Sequence, residues 1–136
     1  MKLFHVSKDG GKESNCTGYW LIEWKSVISV LLLKFSKRSR QSYHNHAFNC
    51  IGLVLKGGLI EKKPNGQIRK FTLRSGFFPI YKDEFHRVSS NKETWVFTIR
   101  GPWERTWKEK NLKKGIETTL ISGRKVVNET PIATDE

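Results

Sequence analysis

Short runs of β-branched and aromatic residues, separated by turn signals about every 8–12 residues, constrain this chain more than any other feature. "YWLIEWK" and "VISVLLLKF" between Tyr19 and Phe35 open the series, and "FNCIGLVLK" (Phe48 to Lys56) and "GGLIEKK" extend it. In "KPNGQ" the Asn65-Gly66 pair favours the left-handed turn of a tight hairpin, with "IRKFTLR" returning. "GFFPIY", "FHRVSS" and "ETWVFTIR" follow; in the last, Trp95, Phe97 and Ile99 alternate with Val96, Thr98 and Arg100, the period of a pleated strand. "GIETTLISGRKVVNE" reads as a final hairpin around Ser122-Gly123. No segment sustains apolar residues at helical spacing; only "WERTWKEKNLKKG" (Trp103 to Gly115) is read as a helical turn or two. The pattern predicts an all-β sandwich or barrel. Residues 1–17 read as a loose N-terminal lead-in and residues 18–136 as a single β-barrel domain, with no internal repeat or linker.

The same pattern narrows the setting. No run approaches the roughly 18 apolar residues of a membrane helix, so no membrane association is expected. The N-terminal stretch lacks a long apolar core, and the expected location is cytoplasmic. Two cysteines, Cys16 and Cys50, do not build a disulfide framework and are expected as thiols. Lys and Arg total 25 against 13 Asp and Glu, a formal charge of +12 that favours anionic ligands or partners. Four cations crowd "KFSKRSR" (Lys34, Lys37, Arg38, Arg40), and "KEKNLKK" adds a second cluster. Either cluster can meet the phosphates of a nucleic acid or an acidic protein, or simply solvate a loop. No sequence-reading nucleic-acid motif accompanies them.

Two of the four histidines sit one residue apart in "QSYHNHAFNC". Side chains two apart on a strand share a face, roughly 6.5–7 Å apart along the chain. His44 and His46 can therefore converge on one ion if the strand twists or bulges there. About forty residues later, "GFFPIYKDEFHRVSS" offers His86 as a third imidazole on another strand. Three such ligands leave coordination positions open, which suits a reactive metal better than a closed structural site. Imidazole alone does not select among iron, copper, nickel and zinc, and each histidine can instead satisfy a local hydrogen bond. His5, in the polar lead-in, is read as a solvated bystander.

"HNH" before an apolar strand ending in "KGG", followed by "RSGFFPIYKDEFHRV", resembles the two conserved blocks of the cupin superfamily. Cupins are jelly-roll (double-stranded β-helix) domains whose first block runs His-x-His, three or four residues, Glu and later Gly. Their second block runs from Gly through Pro to His. His44, His46 and Gly57 fit the first block, and Gly76, Pro79 and His86 fit the second. Residues 19 to 107 also look like small, uncharacterised cupin-like proteins of bacterial and phage genomes. Where metal-binding cupins supply the glutamate, this chain has Asn49 or Cys50. Cysteine dioxygenases and related thiol dioxygenases likewise lack it and hold Fe(II) with three histidines. Some of them cross-link a cysteine just after the first block to a tyrosine. Cys50 falls one residue short of that spacing, and the later strand offers Arg100 instead of tyrosine.

The resemblance implies a jelly roll with a mononuclear divalent metal, Fe(II) first and Ni, Mn or Zn as alternatives. It also implies dioxygenase-like chemistry on a small anionic substrate, and cupins often pair their sheets across a homodimer interface. The contrasting reading is a non-enzymatic cupin-fold module that binds nucleic acid or an acidic protein through its basic surface. For the enzyme, Arg100 is the candidate anion clamp if its strand faces inward, and surface charge if not. Asn49 can donate to a substrate. Tyr43, Phe48, Phe78, Tyr81, Trp95 and Phe97 are candidates to wall an apolar pocket. Cys50 is either a tuner beside the metal or core filler, and Glu84 either a partner orienting an imidazole or part of a solvated turn.

Overall fold

The computed structural model describes residues 1–9, 14–36, 43–121 and 124–132. The strands in chain order are β1 (Lys2–Lys8), β2 (Cys16–Trp24), β3 (Ile28–Phe35), β4 (Tyr43–His44), β5 (Cys50–Lys56) and β6 (Leu59–Lys62). They continue as β7 (Ile68–Phe71), β8 (Phe78–Ile80), β9 (Arg87–Ser89), β10 (Thr94–Arg100), β11 (Thr106–Asn111), β12 (Ile116–Ile121) and β13 (Lys125–Pro131). One six-stranded sheet has the order β1-β2-β3-β10-β5-β8. Facing it are a four-stranded sheet, β13-β12-β11-β4, and a three-stranded sheet, β7-β6-β9. An antiparallel bridge between His44 and His86 joins the two smaller sheets. The architecture is an all-β jelly roll, and two of its histidines are part of the seam that closes it.

Alternation along the strands decides what fills the interior. On β3, Ser29, Leu31 and Leu33 are buried while their neighbours are not. Leu31 and Val54 are wholly buried and pack with Trp20, Leu59, Phe71, Phe78, Ile80 and Val96 in one cluster. Each such side chain contributes about 1.5–3 kcal/mol by leaving water. Phe71 and Phe78 stack with ring centroids 4.0 Å apart. A Cβ at Gly52 would stand 2.7 Å from the Phe78 ring, so that glycine is what lets the ring lie against β5.

The structure departs from the sequence expectation in three places. The expected lead-in forms β1, paired with β2 from Lys2↔Glu23 to Lys8↔Thr17. Nearly all of β1 is exposed, so its own sequence carries no inward apolar set, and the ladder offered by β2 makes it a strand. The segment expected to be helical forms β11, because β12 and β4 supply partners on both sides. The Asn65-Gly66 hairpin joins β6 to β7 as expected. Pro64 has no N–H to pair with Gln67, so the ladder closes at Lys63 N to Gln67 O, 2.9 Å, and Gly66 alone takes positive φ. On β10 the aromatic half faces outward: Trp95 packs on Tyr19, and the buried set is Thr94, Val96, Thr98 and Arg100. The final hairpin forms between β12 and β13, with Ser122 and Gly123 outside the described residues.

Candidate metal centre and ligand cavity

The strand carrying His-x-His stops at His44. His44 and His86 exchange backbone hydrogen bonds, N to O 2.9 Å each way, which sets them directly opposite one another. Beyond His44 the chain leaves the ladder and is clasped from both sides. Asn45 N donates to Lys108 O at 3.0 Å, and His46 N donates to Lys82 O at 3.3 Å. The break in the strand turns His46 toward His86. The three imidazole centroids lie 4.8 to 4.9 Å apart, with every pair of rings edge to face. Nε2 of His46 and Nε2 of His86 are 2.8 Å apart. Two nitrogens bound at right angles about 2.1 Å from one ion stand roughly 3 Å apart, so this spacing fits a shared metal. One donor nitrogen from each of His44, His46 and His86 lies within 4.8 Å of the others, and this group could hold a metal ion.

A glutamate does reach this group, from a place the sequence reading passed over. Glu61 on β6 is 1% exposed, and its Oε2 accepts from Nδ1 of His86 at 2.9 Å. Its Oε1 accepts from Nε of Arg69 at 2.6 Å. Burial alone would push the Glu61 carboxyl up, but the hydrogen bonds from His86 and Arg69 and their charge outweigh it and bring it down to about 2. The carboxylate is thus ionised and accepts from Nδ1 of His86, which turns Nε2 of that ring toward His46. The signal in the sequence was "LIEK": an acid two residues after buried Leu59 must face the interior.

An inner cavity of about 100 Å³ adjoins the histidines. Its walls are mostly apolar, including Leu33, Phe35, Phe78, Ile80 and Val96, with Cys50, Thr98 and Arg100 on the same lining. Arg100 faces inward. It is 3% exposed, and its Nη2 and Nη1 reach Oδ2 and Oδ1 of Asp9 at 2.9 and 3.3 Å. Its guanidinium carbon lies 4.5 Å from the Phe48 ring centroid and 5.2 Å from that of Trp20. Burial pushes the Cys50 thiol up to about 11, with Arg100 partly opposing. Cys50 therefore stays a neutral thiol in the cavity wall.

Other candidates fall elsewhere. Asn49 is exposed, and its Oδ1 accepts from Lys82 N at 2.9 Å, so it fastens a loop. Tyr81 is 53% exposed and lines no cavity described here. Glu84 pairs with Lys63 at 3.0 Å instead of an imidazole. Of the candidate aromatic walls, Phe48 and Phe78 line the cavity; Tyr43, Trp95 and Phe97 do not. His5 stacks on Trp20 at 5.5 Å, held by β1. Of the first basic cluster, Lys34 lies 5.6 Å from the Trp95 ring centroid, and Lys37, Arg38 and Arg40 lie outside the described residues. No helix among the described residues is long and apolar enough to cross a membrane.

No family model matches this chain, and no curated protein does. Solved structures do. A sugar phosphate isomerase of the cupin superfamily from Silicibacter pomeroyi is 10% identical with a TM-score of 0.64, over 96% of this chain and 92% of that one. An RmlC-like cupin from Shewanella frigidimarina is 15% identical with a TM-score of 0.56, over 73% and 84%. The Fe(II) protein HppE is 12% identical with a TM-score of 0.54, over 71% of this chain and 55% of that one. The fold is the cupin jelly roll. Within it, the chain carries a three-histidine group beside a mostly apolar cavity.

Proposed function

We propose that the protein is a metal-dependent cupin enzyme in which His44, His46 and His86 hold one divalent ion, Fe(II) by preference, for dioxygenase-like oxidation of a small anionic substrate. The observation that carries this reading is the 2.8 Å approach of the His46 and His86 Nε2 atoms, with Nδ1 of His86 fixed by Glu61. A structural site would close the fourth position with a protein ligand, whereas among the described residues the group is His44, His46 and His86, and Glu61 meets it only through Nδ1 of His86. The likeness to an Fe(II) cupin supports iron over the other ions that imidazole accepts.

Bound there, the ion would supply redox chemistry and open coordination positions. The remaining work belongs to the chain. Glu61 and Arg69 hold His86 in one orientation. The apolar walls keep bulk water from the reacting atoms. Arg100 places a cation on the lining.

The test is elemental analysis of untagged protein beside His44→Ala and His86→Ala. Near-stoichiometric iron, lost in both variants while circular dichroism stays unchanged, is the expected result. Wild-type protein that carries no metal and takes none up on reconstitution would overturn the reading.

A further inference from the structure

We propose that Arg100 is the seat for a small monocarboxylate with a short apolar tail, and that the Asp9 carboxylate occupies that seat until such a ligand exchanges with it. The inference rests on reading the inner cavity as the substrate chamber, and it names the class of anion.

The seat is built without Asp9. Arg100 ends β10, where pairing with Ser29 on β3 and Cys50 on β5 fixes its backbone, and Phe48 and Trp20 pack against its guanidinium. What remains is a guanidinium edge bearing two terminal nitrogens, the geometry that takes a carboxylate through two parallel hydrogen bonds. Asp9 fills it in that way, from 91 residues away in the chain.

The two partners are not equally fixed. The Arg100 side chain is 4% exposed and that of Asp9 is 30%. Asp9 follows an edge strand and lines the outer groove, so its partly exposed carboxylate has open space beside it to move into. Arg100 stays buried, and a buried guanidinium stripped of its counter-ion is strongly unfavourable. Only a group carrying the same charge and shape can therefore replace Asp9.

Position supplies the rest. Asp9 and Arg100 line the inner cavity and also a wider outer groove of about 330 Å³ that carries Lys8, Lys25, Trp103 and Trp107. A ligand passing from groove to cavity meets the ion pair at the boundary. Beyond it lie Leu33, Phe35, Phe78, Ile80 and Val96, which accept only an apolar chain, and a volume of about 100 Å³ keeps that chain short. His44 and His46 border both spaces, so a carboxylate held on Arg100 lies in the same cavity as the histidine group.

The experiment is calorimetric titration of butanoate, with 1-butanol as the uncharged control, into chelator-treated, metal-free protein. Asp9 competes for the seat, so wild type should bind butanoate weakly and Asp9→Asn about tenfold or more tightly. Asp9→Glu should return the affinity to near the wild-type value, and 1-butanol should gain nothing in any variant. Equal butanoate affinity in wild type and a folded Asp9→Asn would overturn the proposal, as would an equal gain for 1-butanol. Should Asp9→Asn fail to fold, nuclear magnetic resonance of the wild type decides. Butanoate, and not 1-butanol, must then shift the Arg100 side-chain and Asp9 amide signals, and no shift at the highest soluble concentration overturns the exchange. Because metal is absent throughout, failure here leaves the metal analysis standing, and the reverse holds.

Discussion

Nδ1 of His86 stands 2.9 Å from Oε2 of Glu61, with both side chains buried and Arg69 closing the other carboxylate oxygen. This relationship fixes the orientation of the His86 imidazole within the histidine group. Glu61→Gln keeps the shape and removes the charge, so affinity for a divalent ion should fall about 10- to 100-fold. A competition titration against a chromogenic chelator reads it directly. Unchanged affinity would mean that Glu61 serves only the fold.

Glu61→Ala should cost stability as well, by about 3–5 kcal/mol, because it leaves Arg69 and His86 without their shared buried acceptor. Urea denaturation of metal-free protein measures this cost. A loss well below 1 kcal/mol would show that water replaces the carboxylate at both partners.

Metal and fold should be linked. An ion that binds only the folded chain stabilises it by about 2.7 kcal/mol at a hundredfold excess over its dissociation constant. Thermal melts should therefore rise with added Fe(II) under anaerobic conditions in the wild type and stay flat in His86→Ala. A parallel rise in both would place the ion elsewhere.

Cys50 carries a thiol raised from 9.0 to about 11, chiefly by burial. At pH 8 this cuts its thiolate fraction about a hundredfold, and alkylation should slow in proportion, read by peptide mass spectrometry. The sign for stability follows. Between pH 9 and about 11 the unfolded thiol has lost its proton and the folded one keeps it, so the contribution of Cys50 falls as pH rises through that window. Cys50→Ser should flatten that part of the profile.

Two glycines with similar φ should behave differently. Gly57 has φ 87° and Gly66 has φ 91°. A Cβ at Gly57 would collide with Oγ1 of Thr94 and stand 2.7 Å from Glu93 O, whereas at Gly66 nothing lies within 4 Å. Gly66→Ala should cost about 1 kcal/mol, from conformation alone. Gly57→Ala should cost more than about 2 kcal/mol by adding overlap with β10. Equal losses in chemical denaturation would show that β10 yields to the added methyl.

Much of this molecule is local and so was legible in the sequence. The period-two runs of β3, β5 and β10 depend only on which side chains alternate, and the three histidines could be picked out by residue type and spacing. The rest depends on partners distant in the chain. β1 is a strand because β2 offers it a ladder, and β11 is a strand because β4 and β12 flank it, whatever their own sequences prefer. Which half of β10 faces inward is a matter of register, and it put Arg100 into the cavity and Trp95 outside. The convergence of His46 on His86 needed the chain to leave the ladder after His44, held by Lys108 and Lys82 from other elements. Glu61 and Asp9 are 25 and 91 residues from the side chains they hold. A sequence determines the chemistry and the period of its segments; only the folded chain decides which buried charges meet, because that meeting is what compensates for removing them from water.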